Sequence, residues 1–276
     1  MKNIRLFILV ALLSTSCKKN FLDVVPDNVA TIDNAFTSKT EAEKYLFTCY
    51  SYLPVSFDPT YNVGLSASDE VFILDPTSAI RSTNVLRMPY GDQNISAPIA
   101  NFMTGDRDGV ASYKAIRDCN IFLENISDQG KVPDLDIDTR ERWISEVQFL
   151  KAYYHFLMFR AYGPIPVIDK NLPISVAIEE TYVKRQPVDS VVNYISRLLD
   201  EAALHLPNSI NNISSELGRI TKVAALGLKA KLLVTAASPL FNGNSDYTAF
   251  KNKDGEALFN VTYSVEKWQR AAEACK

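Results

Sequence analysis

Two acidic pairs are the residues of this sequence whose types and spacing best suit catalysis. Asp69 and Glu70 are adjacent, and Asp106 and Asp108 are separated by one residue. Two carboxyl groups held about 5–10 Å apart across a sugar act as acid and base in glycoside hydrolysis. Neighbouring acids in a polar stretch are more commonly solvated loop residues, and no glycine-rich phosphate loop or nucleophile elbow accompanies them. The pattern therefore predicts no catalytic residues.

A metal site is not indicated either. Asp134, Asp136 and Asp138 resemble the first positions of a calcium loop. The sixth position is Thr139 rather than glycine, and the twelfth is Ser145 rather than glutamate, so the match fails. We expect Asp138 to cap a helix instead.

The histidines and three of the cysteines also suit structure better than chemistry. His155 and His205 each stand alone in a helical pattern, which predicts one buried polar ring and one ring near a helix C-terminus. Cys49, Cys119 and Cys275 match no metal-ligand spacing and fall on apolar faces of predicted helices. We expect buried free thiols and no cofactor.

Binding through aromatic side chains is the function that the sequence favours. Residues 54–106 are rich in Ser, Asn, Asp, Pro and Gly, with aromatic residues scattered among them. An insertion of this length is more often a functional loop excursion than a connector. A ring on the apolar face of a sugar contributes roughly 1 kcal/mol, so a site needs several rings and hydrogen bonds. The candidates are Tyr61, Phe72 and Tyr90, each of which could instead pack its own loop.

The first residues predict export and lipidation. Lys2 and Arg5 flank the start of an apolar run at residues 6–13, which is typical of a signal peptide and too short to span a bilayer. Small residues before Cys17 favour a signal peptide of residues 1–16 and a lipid on that cysteine, the alternative being a plain signal peptide cut elsewhere. Residues 17–37 would then form a tether to the membrane.

Composition excludes some classes of protein. The chain has 276 residues, of which 47% are hydrophobic and 22% charged, as in ordinary globular domains. Its net charge is −3, and no basic run is interleaved with aromatic residues. Nucleic acid is therefore not expected as a partner.

The periodicity of apolar residues and the capping signals predict a mainly α-helical fold. Six helices are expected, in three consecutive pairs, with starts near residues 38, 107, 139, 187, 221 and 265. Ser38 and Glu41 form a capping box for the first helix, and Pro187 opens the fourth. Residues 152–162 are apolar nearly all round, so the third helix should be buried on several sides.

The most specific pattern is the stretch from Gly218 to Gly243, in which small residues alternate with leucines before an abrupt stop. We expect Gly227 to lie where two helix backbones meet, since glycine inside a helix costs about 1 kcal/mol. Pro239 should end the helix because it lacks an N–H and restricts Ser238.

This stretch, which starts with GRITK and ends with ASPLFNG, resembles the RagB/SusD family of outer-membrane nutrient-binding lipoproteins. Three other segments resemble the family in the same order. They are residues 20–23 with Pro26, the acidic motif at residues 67–70, and residues 141–168. The resemblance covers nearly the whole chain.

The resemblance implies a tetratricopeptide-like helical-hairpin superhelix with long irregular insertions. It also implies that the protein is not an enzyme but binds glycan or oligosaccharide at the cell surface and delivers it to a SusC-type TonB-dependent transporter. Family members are about twice as long, so we expect residues 38–276, with the insertion at 54–106, to lack the C-terminal half of the family fold. The alternative function is a lipid-anchored repeat protein that binds peptides or protein partners.

Overall fold

The computed structural model describes residues 32–54, 62–66, 68–70, 84–94, 96–105, 110–173 and 175–276. The predicted signal peptide and Cys17, most of the predicted tether, and Tyr61 and Phe72 lie outside these residues. Within these residues, six helices of ten or more residues form the fold: α1 Lys39–Tyr50, α2 Ser112–Ile126, α3 Ile137–Tyr162, α4 Val188–Ala202, α5 Lys222–Ala237 and α6 Val265–Ala274. Shorter helical turns are Ile32–Phe36, Val63–Ser66, Asn84–Tyr90, Ile178–Thr181, Ile213–Glu216 and Ser245–Tyr247.

The six helices are stacked in chain order. Each helix packs against the next, and the central α3 also contacts α1 and α5. No strand occurs in the described part of the chain, where a single antiparallel bridge joins Lys251 and Ala257. The predicted mainly α, tetratricopeptide-like superhelix is therefore confirmed.

Side-chain caps start α1, α3 and α5; the cap at Ser38 was predicted, and the predicted cap of α3 needs a correction. The Ser38 hydroxyl accepts from the Glu41 amide at 3.4 Å, and the Thr221 hydroxyl accepts from the Ala224 amide at 3.3 Å. At α3 the cap is Asp136, whose carboxylate accepts from the Thr139 amide at 2.8 Å. The prediction that Asp138 is the cap is wrong, because the helix begins at Ile137 and places Asp138 in its first turn.

The centre of the fold is α3, as its apolar second half predicts. Its side chains fill the space between the neighbouring helices, and those of Trp143, Tyr154, Phe156, Met158 and Phe159 are almost completely buried. The core also includes Phe36, whose carbonyl accepts from the Val132 amide at 3.1 Å. The last residues of the predicted tether are thus packed against the helices.

The stretch from Gly218 to Gly243 has a structural role. Arg219 pairs with the fully buried Glu146 of α3, and its guanidinium also reaches Glu43 of α1 at 3.1 Å. The Asn242 amide group donates to the Ser264 carbonyl at 2.9 Å and accepts from the Ser264 amide at 2.8 Å. The stretch therefore connects α5 to α1 and α3 at one end and to the start of α6 at the other.

Two predictions for buried residues are wrong. Gly227 lies on an exposed face of α5, and a methyl group at its Cα would meet no atom within 4 Å. Val223 and Leu226 on the same face are 65% and 43% exposed, so no described backbone approaches there. Cys49 and Cys119 are buried free thiols as expected, but Cys275 follows the last turn of α6 and is exposed.

Candidate functional site

A pocket of about 450 Å³ lies where the insertion meets the second half of α3 and the exposed face of α5. Pockets of about 300–1,000 Å³ are the usual size for small ligands. Its described lining combines aromatic, apolar and cationic side chains and contains no carboxylate. We call it the insertion pocket; the residues that carry its chemistry are Asn62, Phe102, Tyr153, Leu157, Arg160 and Lys231.

The wall from α3 is rigid because its side chains are held by rings in the core. The Tyr153 ring stacks on Phe149, with 6.3 Å between centroids and 14° between planes, and meets the Tyr154 ring edge-on at 6.2 Å. Tyr153 is half-buried, so part of its ring faces the pocket. Arg160, in the last turn of α3, lies over the Phe156 ring at 5.6 Å.

The wall from the insertion is fastened by hydrogen bonds to the end of α3 and to the start of α2. The Phe102 amide donates to the Tyr162 hydroxyl at 3.0 Å, and the Tyr113 amide donates to the Met103 carbonyl at 3.3 Å. At the other side, the Asn62 side-chain oxygen accepts from the Gly64 amide at 3.0 Å and starts the turn at Val63–Ser66. The side of the insertion at Phe102 and Met103 is therefore held against the helices, while the bond at Asn62 shapes its own turn.

The sequence-predicted binding residues are only partly placed. Tyr61 and Phe72 lie outside the described residues. Tyr90 is 47% exposed at the end of its short helix and is not among the described lining of the insertion pocket. The ring that does line it on α3, Tyr153, was not predicted, because it sits in a helix whose apolar pattern indicates core.

The acidic residues considered for catalysis or metal binding have other places. Asp69 and Glu70 are exposed in a turn, while Asp106 and Asp108 lie outside the described residues. The Asp134 carboxylate accepts from the Lys39 backbone amide at 2.8 Å, which connects the start of α1 to the segment before α3. Among the described residues, no group of three or more His, Cys, Asp or Glu side chains is placed to hold a metal ion.

Both histidines have structural partners, as predicted. The buried His155 donates from Nδ1 to the Lys151 carbonyl at 2.8 Å and accepts at Nε2 from the Ile168 amide at 3.4 Å. Burial lowers the pKa of His155 to about 4, so the ring is neutral at physiological pH. His205, near the C-terminal end of α4, lies 3.0 Å from the Glu141 carboxylate at the surface.

A second cavity, which we call the polar groove, lies between α2, α3 and α4 and has a volume of about 440 Å³. Its wall includes the buried Asn120, whose side-chain nitrogen donates to Asn171 at 3.2 Å and whose side-chain oxygen has no protein partner. Lys151 reaches the Asp169 carbonyl at 2.6 Å, and burial lowers the pKa of its ammonium. Arg197 lies at the same groove, over the ring of Tyr194.

Comparison with known proteins agrees with this architecture. A family of SusD-like proteins, described as starch-binding and associating with the outer membrane, matches residues 20–234. Among curated proteins, none matches this sequence. No helix in the described part of the chain is long and apolar enough to cross a membrane.

Solved structures show the same arrangement of helices. BT4246 superposes with a TM-score of 0.69 and 32% identity, over 87% of this chain and 39% of that one. A SusD-like protein from Bacteroides fragilis NCTC 9343 gives 0.58 and 23%, over 76% of this chain and 37% of the other. A laminarin-binding SusD-like protein gives 0.56 and 19%, over 73% and 41%.

The present chain thus spans about two fifths of the length of these relatives. The family match is far longer than half of the chain, and it includes α1 to α4 and most of α5. It also includes the Arg219 and Thr221 contacts that connect α5 to the rest of the fold. This chain belongs to the RagB/SusD family.

Proposed function

We propose that this chain is part of a cell-surface protein that binds glycan or oligosaccharide nutrients without modifying them. The observation that carries the proposal is the insertion pocket, where the half-exposed Tyr153 ring lies near Arg160 and Lys231 with no carboxylate in the described lining. A sugar would stack one apolar face on the ring, while the cations and the amide of Asn62 donate to its hydroxyl oxygens. The described family, starch-binding and outer-membrane-associated, supports the same class of ligand.

Further rings from the insertion would raise the affinity. One stacked ring contributes roughly 1 kcal/mol, whereas millimolar binding needs about 4 kcal/mol. Tyr61 directly precedes the lining residue Asn62, and we keep it as a candidate, together with Phe72 and Tyr90. The wider insertion would thereby supply the contacts that select one glycan over another.

Binding is tested by isothermal titration calorimetry of the full-length protein against a panel of neutral oligosaccharides, including laminarin fragments. We expect micromolar to millimolar affinity for at least one, with an unchanged ligand recovered afterwards by chromatography. A protein that binds none of the panel, or that shortens the ligand, would contradict the proposal.

We further propose that the protein is held at the outer membrane by a lipid on Cys17, after removal of residues 1–16. Acyl chains contribute about 0.8 kcal/mol for each buried methylene, so several chains anchor a protein essentially permanently. A Cys17→Ala variant should leave the membrane fraction. If that variant remains wholly membrane-bound, the lipid is not the anchor.

The partner that we propose is a SusC-type TonB-dependent transporter, to which the captured ligand is delivered. The motivation is membership of the SusD-like family, which is described as associating with the outer membrane and whose resemblance implies such a transporter. Purification of the full-length protein from mild detergent should recover such a transporter with it. Repeated purification with none would remove this part of the proposal.

Peptide binding is the alternative function, and the polar groove is the observation that favours it. Its lining offers donors and acceptors for a peptide backbone, with Lys151 and Arg197 beside the carboxylate of Glu201. Calorimetry with a mixed peptide library and with the glycan panel separates the two functions. Clear peptide binding with no glycan binding would reverse their order.

A further inference from the structure

A third cavity, which we call the basic cleft, lies at the surface between the segment before α4 and the turn that follows α5. Its two sides are residues 182–185 and residues 250–258, and its volume is about 360 Å³. The second side is a small hairpin, in which the Leu258 amide donates to the Phe250 carbonyl and the Asn252 amide to the Glu256 carbonyl, both at 3.0 Å. The Val188 amide, at the start of α4, donates to the Leu258 carbonyl at 2.9 Å. The cleft therefore has fixed walls.

The cleft is strongly basic although the chain as a whole is acidic. Its described lining contains no carboxylate but four cationic side chains, those of Lys184, Arg185, Lys251 and Lys253. Two carboxylates lie nearby. Asp254 is 2.8 Å from the ammonium of Lys184, and Glu256 accepts from the Asn252 side chain at 2.8 Å. Four cations against two carboxylates leave an excess of two positive charges at this surface.

Aromatic rings lie among these cations. Tyr182 is 66% exposed and Phe250 is 38% exposed, and both line the cleft. The Phe250 ring is held against the rings of Tyr247 and Phe259, with centroids 6.3 and 5.9 Å away. The Arg185 guanidinium lies over the Phe250 ring at 5.6 Å, which fixes one cation in place. Rings for an apolar sugar face and donors for an anionic group are thus side by side.

The basic cleft is connected to the same end of α3 as the insertion pocket. The Gln186 amide, next to Arg185, donates to the Ile165 carbonyl at 2.9 Å, three residues after α3 ends at Tyr162. Tyr162 in turn accepts from Phe102 of the insertion pocket. The walls of the two cavities are thus connected through the end of α3 and the residues that follow it.

We propose that the basic cleft binds an acidic group, a uronate carboxylate or a sulfate, on the oligosaccharide that the protein captures. The inference rests on the proposed glycan-binding function and names its ligand class, an anionic oligosaccharide. Lys251, Lys253 and Arg185 donate to the acidic group, and the rings of Tyr182 and Phe250 contact the sugar that carries it. A neutral glycan would use the insertion pocket alone.

The test is calorimetry with the full-length protein and two matched pairs of polymers. Polygalacturonate is compared with its fully methyl-esterified form, and dextran sulfate with dextran, so that only the acidic group differs within a pair. We expect an acidic polymer to bind at least about tenfold more tightly than its neutral partner, and this difference to shrink as salt screens the charges. Which pair shows it distinguishes carboxylate from sulfate.

Substitution locates the site. We expect K251Q/K253Q to weaken binding of the acidic polymer about tenfold and to leave binding of neutral glycans unchanged. The control K222Q/K276Q removes two positive charges outside the cleft and should change the affinity less than about twofold. Inorganic polyphosphate serves as an anion without sugar rings, and it should bind more weakly than the acidic glycan.

Four results would overturn the proposal. Equal binding of neutral and acidic glycans would refute the basic cleft while leaving the proposed function intact. Equal loss of affinity in K251Q/K253Q and K222Q/K276Q, or polyphosphate binding as tightly as the glycan, would make the attraction one of general charge. If neither acidic nor neutral glycans bind, the proposed function itself is wrong.

Discussion

Arg219, just before α5, pairs with Glu146 in the middle of α3 at 3.0 Å, and the Glu146 side chain is completely buried. The same carboxylate accepts from the Tyr50 hydroxyl at 2.6 Å and from Arg142 at 3.0 Å. The Tyr50 hydroxyl also accepts from the Ile220 amide at 3.2 Å. A single carboxylate thus joins α1, α3 and the entry to α5. Arg219 belongs to the stretch that carries the family resemblance. Its contacts give it a structural role that does not depend on a ligand.

The first prediction concerns the free energy of unfolding of Glu146→Gln. Removing the charge leaves Arg219 buried with only Glu43 as a carboxylate partner, and breaking a buried pair by losing one member typically costs about 3–5 kcal/mol. We expect a loss near the lower value, about 3 kcal/mol, because Glu43 remains. Urea denaturation followed by circular dichroism measures it.

Glu201→Gln is the matched control for that measurement. Its partner Arg197 lies at 2.7 Å, but both side chains are well exposed, and surface pairs of this kind contribute at most about 1 kcal/mol. Equal losses for the two variants would mean that burial of Glu146 has no special weight in the stability of the fold.

The second prediction concerns pH. The pKa of His155 is about 4 in the folded protein against an ordinary 6.5, so the unfolded chain takes up the proton first as pH falls. Stability should therefore decrease between pH 6.5 and 4, by about 3 kcal/mol from this residue alone. His155→Gln should lower the number of protons taken up on unfolding by up to one between pH 6.5 and 4. Denaturation at several pH values measures this number.

His205→Gln is the control, since His205 is half-exposed and lies beside Glu141 at the surface. It keeps the buried His155 ring, so the loss of stability assigned to that ring between pH 6.5 and 4 should remain. Charged neighbours of His155 are Lys151 and Asp169, and their opposing charges stay in place in both variants. If His205→Gln reduced the pH dependence of the free energy of unfolding and His155→Gln did not, its assignment to His155 would be wrong.

The helices were predictable because their signals are local. Ser38 and Thr221 are caps whose hydroxyls bond three residues ahead, and the helix that precedes Pro239 ends where the proline restricts Ser238. The α3 cap was misplaced because Asp136 and Asp138 are equally good capping residues by type. Only the backbone angles of the folded chain, extended at Asp136, decide between them.

Long-range relationships were not predictable, because they join residues that sequence spacing does not connect. In the sequence, Glu146 is one charged residue in a helix and Arg219 one in a loop, and nothing in their spacing indicates that they pair. Gly227 was expected at a helix contact on local cost alone, yet a Cβ there would meet no atom of a neighbouring element within 4 Å. Helix propensity shows that a glycine is unusual inside a helix, but it does not show which residues pack against that glycine.

The candidate site was predictable in outline and not in detail. An insertion rich in polar and aromatic residues indicates a binding region, and Phe102 and Asn62 do line a pocket there. Its opposite wall comes from Tyr153 and Arg160, which the sequence places in a continuous apolar helix. Their contribution depends on which side of α3 the insertion covers, and this is a tertiary property.

The third prediction tests that wall. Tyr153→Ala should weaken glycan binding about fivefold, because it removes one stacked sugar face worth roughly 1 kcal/mol. Tyr153→Phe keeps the ring and should bind within about twofold of the unaltered protein. Tyr263→Ala, which removes a 63% exposed ring outside the insertion pocket, is the control for calorimetry. Unchanged affinity in Tyr153→Ala would place the sugar elsewhere.

The fourth prediction uses two glycines with opposite surroundings. Gly163 ends α3 with φ of 70°, and a Cβ there would lie 3.2 Å from the Phe259 ring, so Gly163→Ala should destabilise the protein by about 1–3 kcal/mol. Gly227→Ala adds a methyl group to an open face of α5 and should stabilise it by about 0.5–1 kcal/mol, since alanine loses less backbone entropy in a helix. Urea denaturation of both variants gives the sign and size of each change. Destabilisation by Gly227→Ala would mean that another surface packs closely against that face of α5 in the full-length protein.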